Sequence, residues 1–249
     1  MKLQTALGPL LLQELKEKYW GKKSVVLVAK QGNPLGGLLS LEEVETRLND
    51  GCATLTRLSV IAPTGSKLPH DALYHRQAGP SWAPEFLKKS ALHELLVQGH
   101  SFVMHNMTHI TPRVAELVAD IEAHFPDFAA DVHLYVSPRK GSTGYRAHKD
   151  EPQHKIYLQV VGSTSWRVFS GTHAKKALTE EETREHLQVN FEATLTPGSV
   201  LYMPPGVFHQ ASNPEGPRLS VSIPIAPRNE GVVPVDRHHV PLAQLMRGS

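Results

Sequence analysis

The spacing of apolar positions changes character near residue 130. Before it, residues 7–20 and the stretch after Thr111 carry apolar side chains at helical spacing, and Pro112 suits a first helical turn. Ser40 and Glu43 have the spacing of a capping box, which predicts a third helix. The first half of the chain is therefore expected to be helix-rich.

Three other segments of this half are less regular. Residues 53–62 alternate well enough to predict a strand. Residues 63–84 are rich in proline, glycine and polar side chains, and we interpret them as a surface loop beside a binding site. A helix is predicted over residues 84–98 because Gly99 follows as a stop signal.

After residue 130 the pattern favours short strands separated by glycine and proline turns. The predicted strands cover residues 132–136, 155–161, 165–169, 189–195, 199–203, 208–212 and 218–225. Strands of this length predict a sandwich or barrel. The fold class is thus mainly β with a helical N-terminal flank. We expect one domain over residues 1–249, composed of a flank with accessory strands (1–129), a β core (130–226) and a tail (227–249).

Composition narrows the function classes. The chain has 249 residues, enough for a full core, and a formal net charge of +2, which gives no case for bulk nucleic-acid binding. Cys52 is the only cysteine, so no intrachain disulfide can form. Neither a membrane-length apolar run nor a good signal peptide is present. A cytoplasmic protein is expected.

The candidate chemistry lies in two motifs that are far apart in sequence. If residues 148–150 form a strand, His148 and Asp150 project to the same face. His209 follows the turn Pro204-Pro205-Gly206, and the intervening strands can fold it back toward Asp150. Two histidines and one carboxylate form the facial triad that binds Fe(II) with open positions. The alternative interpretation is a polar strand face and a capped turn.

Three pieces of the chain resemble a known family. They are His148-Lys149-Asp150, the stretch Leu158-Gln159-Val160-Val161-Gly162 that leads to Trp166, and segment 195–206 that leads to His209. Their joint pattern is similar to the JmjC branch of the cupin superfamily, in particular to ribosomal-protein hydroxylases and their bacterial relatives. The resemblance extends over roughly residues 7–226. It implies a double-stranded β-helix (jelly-roll) barrel with Fe(II), and with 2-oxoglutarate and O₂ as cosubstrates.

The resemblance also implies roles for individual residues. His148, Asp150 and His209 would be the catalytic metal ligands, and His133, Tyr135 and Thr164 would line the cosubstrate pocket. Family members usually carry Lys or Arg at the position of Thr164 to bind the far carboxylate of 2-oxoglutarate. The Arg218-Leu219-Ser220 segment resembles the Arg-x-Ser pair of other 2-oxoglutarate oxygenases, so Arg218 with Ser220 is the first candidate for this role and Lys155 the second.

Several alternatives stay open at this point. The resemblance implies hydroxylation of a side chain in a protein or peptide, including ribosomal proteins, and a homodimer is compatible with it. A small-molecule substrate is an alternative because only about two dozen residues follow the last predicted strand. Thr164 also favours a cupin metalloenzyme without 2-oxoglutarate, and a non-catalytic cupin is the third hypothesis. His154 is expected to be a solvent-facing loop residue.

Overall fold

The computed structural model describes residues 2–3, 7–28, 33, 35–49, 58–76, 85–142, 144–213 and 215–228. Its helices are α1 (Pro9–Glu14), which continues as a π-helical turn (Leu15–Tyr19), α2 (Leu41–Asn49), α3 (Lys89–Val97), α4 (Pro112–His124) and α5 (Glu180–His186), with a 3₁₀ turn at His70–Ala72. Strands dominate the rest, which agrees with the expected fold class. None of the described helices is long and apolar enough to cross a membrane.

The strands form two main antiparallel sheets. They are β1 (Val25–Val28), β2 (Leu58–Ile61), β3 (Tyr74–Arg76), β4 (Glu85–Leu87), β5 (Ser101–Met104), β6 (Phe128–Ala130), β7 (His133–Ser137), β8 (His154–Val161), β9 (Thr164–Ser170), β10 (Gln188–Leu195), β11 (Ser199–Met203), β12 (His209–Ser212) and β13 (Arg218–Pro227). The large sheet has the order β1-β11-β8-β13-β7-β5-β2, with β6 paired to β13. The small sheet has the order β10-β9-β12, and β3 pairs with β4.

The core explains why the large sheet is flanked by helices. β8 and β11 are buried along almost their whole length, as expected for strands covered on both faces. α4 contributes Val114, Leu117 and Ile121, which are fully buried in the same apolar cluster as the sheet. A second, smaller cluster that includes Tyr157, Trp166 and Leu201 packs between the two sheets. This cluster forms the floor on which the candidate site lies.

Both helix caps in the first half are confirmed. The Val114 amide donates to the Thr111 hydroxyl (3.2 Å). The Glu43 amide donates to the Ser40 hydroxyl (3.1 Å), and the Ser40 amide donates back to the Glu43 carboxylate (2.9 Å). Each pair satisfies amides that a helix start leaves without partners.

Other expectations for this half need correction. Segment 63–84 is not one loop, because it contains the 3₁₀ turn and β3. The helix predicted over 84–98 begins at Lys89, because β4 pairs with β3 just before it. Of the strand predicted over 53–62, β2 is described, whereas residues 53–57, Cys52 and residues 77–84 lie outside the described part of the chain.

Candidate active site

The two motifs meet through their backbones. The His148 amide donates to the His209 carbonyl (3.0 Å), and the His209 amide donates to the His148 carbonyl (2.8 Å). The Gly206 amide, in the turn before β12, donates to the Asp150 carbonyl (2.9 Å). His148 therefore forms an isolated bridge with His209, the first residue of β12, and residues 148–150 are not the regular strand of the sequence argument. Their side chains still converge with that of His209.

The converged side chains suit a metal ion. One ligand atom from each of His148, Asp150 and His209 lies within 4.8 Å of the others. The Nδ1 atoms of the two imidazoles lie 2.8 Å from the Arg146 carbonyl and 2.9 Å from the Val207 carbonyl. A carbonyl can only accept, so each Nδ1 carries the proton and each Nε2 keeps its lone pair. The sequence motif and the backbone thus orient both rings as ligands.

Burial and neighbouring charges shift all three groups toward the protonation states that bind metal. Burial lowers the pKa of His209 well below its usual range and also lowers the pKa of His148. Burial alone would raise the pKa of Asp150, but the Lys155 ammonium and the two imidazoles hold it below the usual carboxyl value. Neutral imidazoles and an ionised carboxylate are the forms that a metal requires.

Metal binding is therefore expected to resist mild acid. Because burial lowers the pKa of both histidines, Mn(II) affinity should fall less between about pH 7.5 and 5.5 than it would with histidines of ordinary pKa. Two histidines with the ordinary pKa of about 6.5 would instead weaken binding roughly hundredfold over this range. Isothermal titration calorimetry at each pH measures this, with circular dichroism as the control for an intact fold. A hundredfold loss in folded protein would contradict the structure.

A narrow pocket extends from the two histidines into the barrel. It is lined by Tyr135, Gly144, Tyr145, His148, Tyr157, Trp166, His209, Ala211, Arg218 and Ser220. We call this cavity the inner pocket. The indole Nε1 of Trp166 is buried and has no hydrogen-bond partner among the described residues. The pocket is thus apolar-walled, with a few polar groups that could recognise a ligand.

Arg218 is the cation of the inner pocket. It is the first residue of β13 and is only 2% exposed. Its Nε donates to the Ser137 hydroxyl (2.9 Å) and its Nη1 to the Thr164 hydroxyl (3.1 Å). Burial lowers its pKa to about 10, so the guanidinium remains charged at neutral pH. Among the described residues no carboxylate pairs with it, and a buried charge without a counter-ion is costly.

A buried polar network holds this arginine in place. Thr164 and Ser220 both donate to the Gln159 carboxamide oxygen, at 2.9 and 2.8 Å. The turn at Gly162 brings Thr164 close to β13, since a Cβ at Gly162 would lie 2.0 Å from the Pro217 carbonyl. Thr164 therefore holds Arg218 in place through a hydrogen bond and does not itself line the pocket. Gln159 was missed as a site residue, although a lone amide in an apolar strand was a signal for it.

The remaining candidate residues occupy other places. Tyr135 lines the inner pocket, as the resemblance implied, but His133 does not. The His133 imidazole lies 3.4 Å from the Asp131 carboxylate, near the outer opening of the site. Lys155 also lies at that opening, 3.6 Å from Asp150, and not in the inner pocket. Arg218 is thus the cation that the structure places in the inner pocket.

The expectation for His154 is wrong. It is the first residue of β8, is buried, and stacks on Trp20 with ring centroids 4.0 Å apart. Its Nδ1 lies 2.9 Å from the Tyr202 hydroxyl. His154 therefore joins α1 and the following turn to the large sheet rather than facing solvent.

Two facing antiparallel sheets with a His-Asp-His set between them define a cupin protein with a candidate metal site. The family model described as "JmjC domain" matches residues 104–231, just over half of the chain. The chain belongs to the JmjC domain family. The double-stranded β-helix that the resemblance implied is confirmed.

Curated relatives and solved structures agree with this fold. The chain is 23% identical over 229 residues to the bifunctional lysine-specific demethylase and histidyl-hydroxylase NO66 of Drosophila mojavensis, covering 90% of this chain and 24% of that protein. It is 33% identical over 108 residues to ribosomal oxygenase 2 of Bos taurus, covering 43% and 22%. It is also similar to a structure of YcfD, a ribosomal oxygenase from Escherichia coli, in complex with cobalt and 2-oxoglutarate (TM-score 0.58, 18% identity, 95% and 64% covered). The chain spans about a quarter of the length of these two curated relatives.

Proposed function

We propose that the protein is an Fe(II)- and 2-oxoglutarate-dependent oxygenase that hydroxylates a side chain of a protein or peptide. The observation that carries the proposal is the inner pocket, which has two candidate metal-ligating histidines at one end and, in its wall, the buried Arg218 without a carboxylate partner among the described residues. 2-Oxoglutarate has the complementary chemistry, with a keto acid that chelates a metal and a second carboxylate. When bound, iron and cosubstrate supply the oxidation, with O₂ consumed, succinate and CO₂ released, and one oxygen atom inserted into a substrate C–H bond.

The residues present fit both groups. His148, Asp150 and His209 would hold the iron on one face and leave the remaining positions open. Arg218 would bind the far carboxylate with its two-pronged guanidinium, which removes the cost of its burial. Ser220 lies two residues further along the same strand and also lines the pocket. Together with Thr164, which fixes Arg218, these residues define the cosubstrate contacts of the proposal.

The pocket walls orient the cosubstrate and exclude water. Tyr157 is buried and Tyr135 is partly buried, and burial raises the pKa of both hydroxyls, so they remain neutral donors. The Tyr157 hydroxyl lies 3.4 Å from the Nε2 of His209. The unpartnered Trp166 indole offers a further donor in the same cavity. These groups would position the ligand while the metal performs the chemistry.

The relatives' names support a protein substrate. They include a histidyl-hydroxylase and ribosomal oxygenases, so ribosomal proteins are among the substrates to test. A cytoplasmic location is part of this proposal because the single cysteine suits a reducing compartment. A small-molecule substrate remains the second candidate.

An anaerobic titration tests the proposal. Adding 2-oxoglutarate to the Fe(II)-loaded protein is expected to produce the weak visible charge-transfer band of a keto acid bound to iron, and the band should saturate at one equivalent. Succinate, which lacks the keto group, serves as the matched control and should give no band. If iron binds and no band appears, a cupin reaction without 2-oxoglutarate replaces this proposal.

A further inference from the structure

A second, wider cavity leads from the triad to the surface. It has a volume of about 430 Å³ and is lined by residues that include Gly65, His105, His133, His148, Asp150 and Ala177. We call this cavity the mouth. Because His148 and Asp150 form part of its wall, a substrate that enters the mouth reaches the metal ligands directly. The mouth is therefore the place where the proposed function requires a substrate.

The lining of the mouth has a marked excess of positive charge. Its charged side chains are one carboxylate, that of Asp150, and four cations, namely Arg146, Lys149, Lys155 and Lys176. The whole chain, in contrast, has a formal net charge of only +2. The excess is thus concentrated at the site, and a partly enclosed cavity focuses such a field on an entering ligand.

Two of these cations have no ion-pair partner among the acids that the structure describes. Lys149 pairs with Glu151 (3.1 Å). Arg146 donates instead to neutral acceptors, the Thr64 carbonyl (3.3 Å) and the Ser66 hydroxyl (3.4 Å). No acid among the described residues pairs with Lys176, which is exposed. Two rim cations, Arg146 and Lys176, therefore remain available to a ligand.

Lys155 is the innermost cation of the mouth. Its side chain is only 5% exposed, and Asp150 is its ion-pair partner at 3.6 Å. Asp131 lies near it but is engaged by Thr108 (2.8 Å) and His133 (3.4 Å). If Asp150 binds a metal ion, its carboxylate no longer balances most of the positive charge of the buried Lys155 ammonium. An anion at the base of the mouth would restore this balance.

We infer that the substrate presents a carboxylate to the mouth, held by Lys155 at the base and by Arg146 and Lys176 at the rim. The inference rests on the proposed function and names its substrate class, an acidic side chain in a peptide. A nucleic acid is a poorer match. A phosphate backbone needs a basic track along the surface, whereas these cations are confined to one cavity in a chain of nearly balanced charge.

Charge reversal at the rim tests the inference. The binding probe is a fluorescently labelled pool of short acidic peptides, measured by anisotropy on Mn(II)-loaded protein that is saturated with 2-oxoglutarate and kept anaerobic. Lys176→Glu is expected to weaken binding about tenfold, since it reverses a charge facing the ligand. Lys140→Glu, an equally exposed lysine outside the mouth, is the matched control and should change nothing. Lys155→Met, which keeps an unbranched side chain and removes the charge, should also weaken binding of the acidic peptide pool.

The probes distinguish the outcomes. A preference for the acidic pool over a matched basic pool, lost in Lys176→Glu, supports the inference. Equal binding of the two pools, or tighter binding of a single-stranded oligonucleotide, overturns it. 2-Oxoglutarate affinity is measured separately on the same proteins. If wild type binds 2-oxoglutarate but shows no acidic preference, the inference alone fails, whereas absent 2-oxoglutarate binding shows that the proposed function has failed.

Discussion

Replacing Arg218 with methionine is expected to weaken 2-oxoglutarate binding at least about thirtyfold and to leave metal affinity unchanged. The guanidinium is buried, held by Ser137 and Thr164, and without an acid partner among the described residues. Truncating one partner of a buried, hydrogen-bonded charge pair costs about 2–5 kcal/mol, which corresponds to this loss or a larger one. Calorimetric titration of the Mn(II)-loaded variant with 2-oxoglutarate measures it.

The same variant also tests, independently of ligand binding, how Arg218 affects the stability of the fold. Without cosubstrate, the wild-type guanidinium is a buried charge whose acceptors within the described part of the chain are neutral. Replacement by an apolar side chain of similar length is therefore expected to leave the free energy of unfolding unchanged or to raise it. Urea denaturation of the metal-free proteins checks this. A markedly destabilised Arg218→Met protein would indicate that Arg218 serves the fold rather than a ligand.

A double variant tests whether the position of the cation has moved within the family. The resemblance places a Lys or Arg at the position of Thr164, and the Thr164 hydroxyl lies 3.1 Å from Nη1 of Arg218. Arg218→Met/Thr164→Lys should therefore restore 2-oxoglutarate affinity to within about tenfold of wild type, since both cations can reach the same end of the pocket. Arg167→Met, an exposed arginine on the same strand as Thr164, is the control and should behave as wild type. If the double variant binds 2-oxoglutarate as weakly as Arg218→Met does, a lysine at position 164 cannot replace the arginine at position 218 as the partner of the far carboxylate.

The convergence of His148, Asp150 and His209 could be predicted from sequence because its signal is chemical as well as periodic. Residue type, the two-residue spacing of His148 and Asp150, and the turn before His209 were sufficient, even though His148 forms only an isolated bridge and residues 148–150 are not a regular strand. The strands after residue 130 were predictable because Gly and Pro punctuate their apolar runs. Local information was sufficient in both cases.

Other features depend on contacts that no local pattern encodes. β3 is short, and its segment looks like a loop until its pairing with β4 is known. His154 follows a metal-binding motif in a polar stretch, yet its burial is set by the distant Trp20 and Tyr202. Arg218 was a candidate by resemblance only. Its burial, its hydroxyl partners and the connecting amide of Gln159 come from three strands that meet across the sheets.

Replacing His148 with alanine is expected to lower metal affinity more than about hundredfold and to reduce 2-oxoglutarate turnover to background. Loss of a group that only hydrogen-bonds to a metal ligand costs about 10–100-fold in metal affinity, and His148 is a direct ligand in the proposal. The fold should persist, because the bridge between residues 148 and 209 uses backbone atoms and does not need the imidazole. Calorimetric Mn(II) titration and succinate formation are the two measurements.

A matched control separates ligation from general disturbance of the mouth. His133→Ala removes a neighbouring imidazole that pairs with Asp131 and lies outside the inner pocket, so metal and 2-oxoglutarate affinities should stay within about threefold of wild type. If His148→Ala retains near-normal metal affinity, the triad is wrong. If His133→Ala loses 2-oxoglutarate instead, the cosubstrate extends into the mouth, and the cations there bind it rather than the substrate. The two variants together therefore determine which of the two cavities holds the cosubstrate.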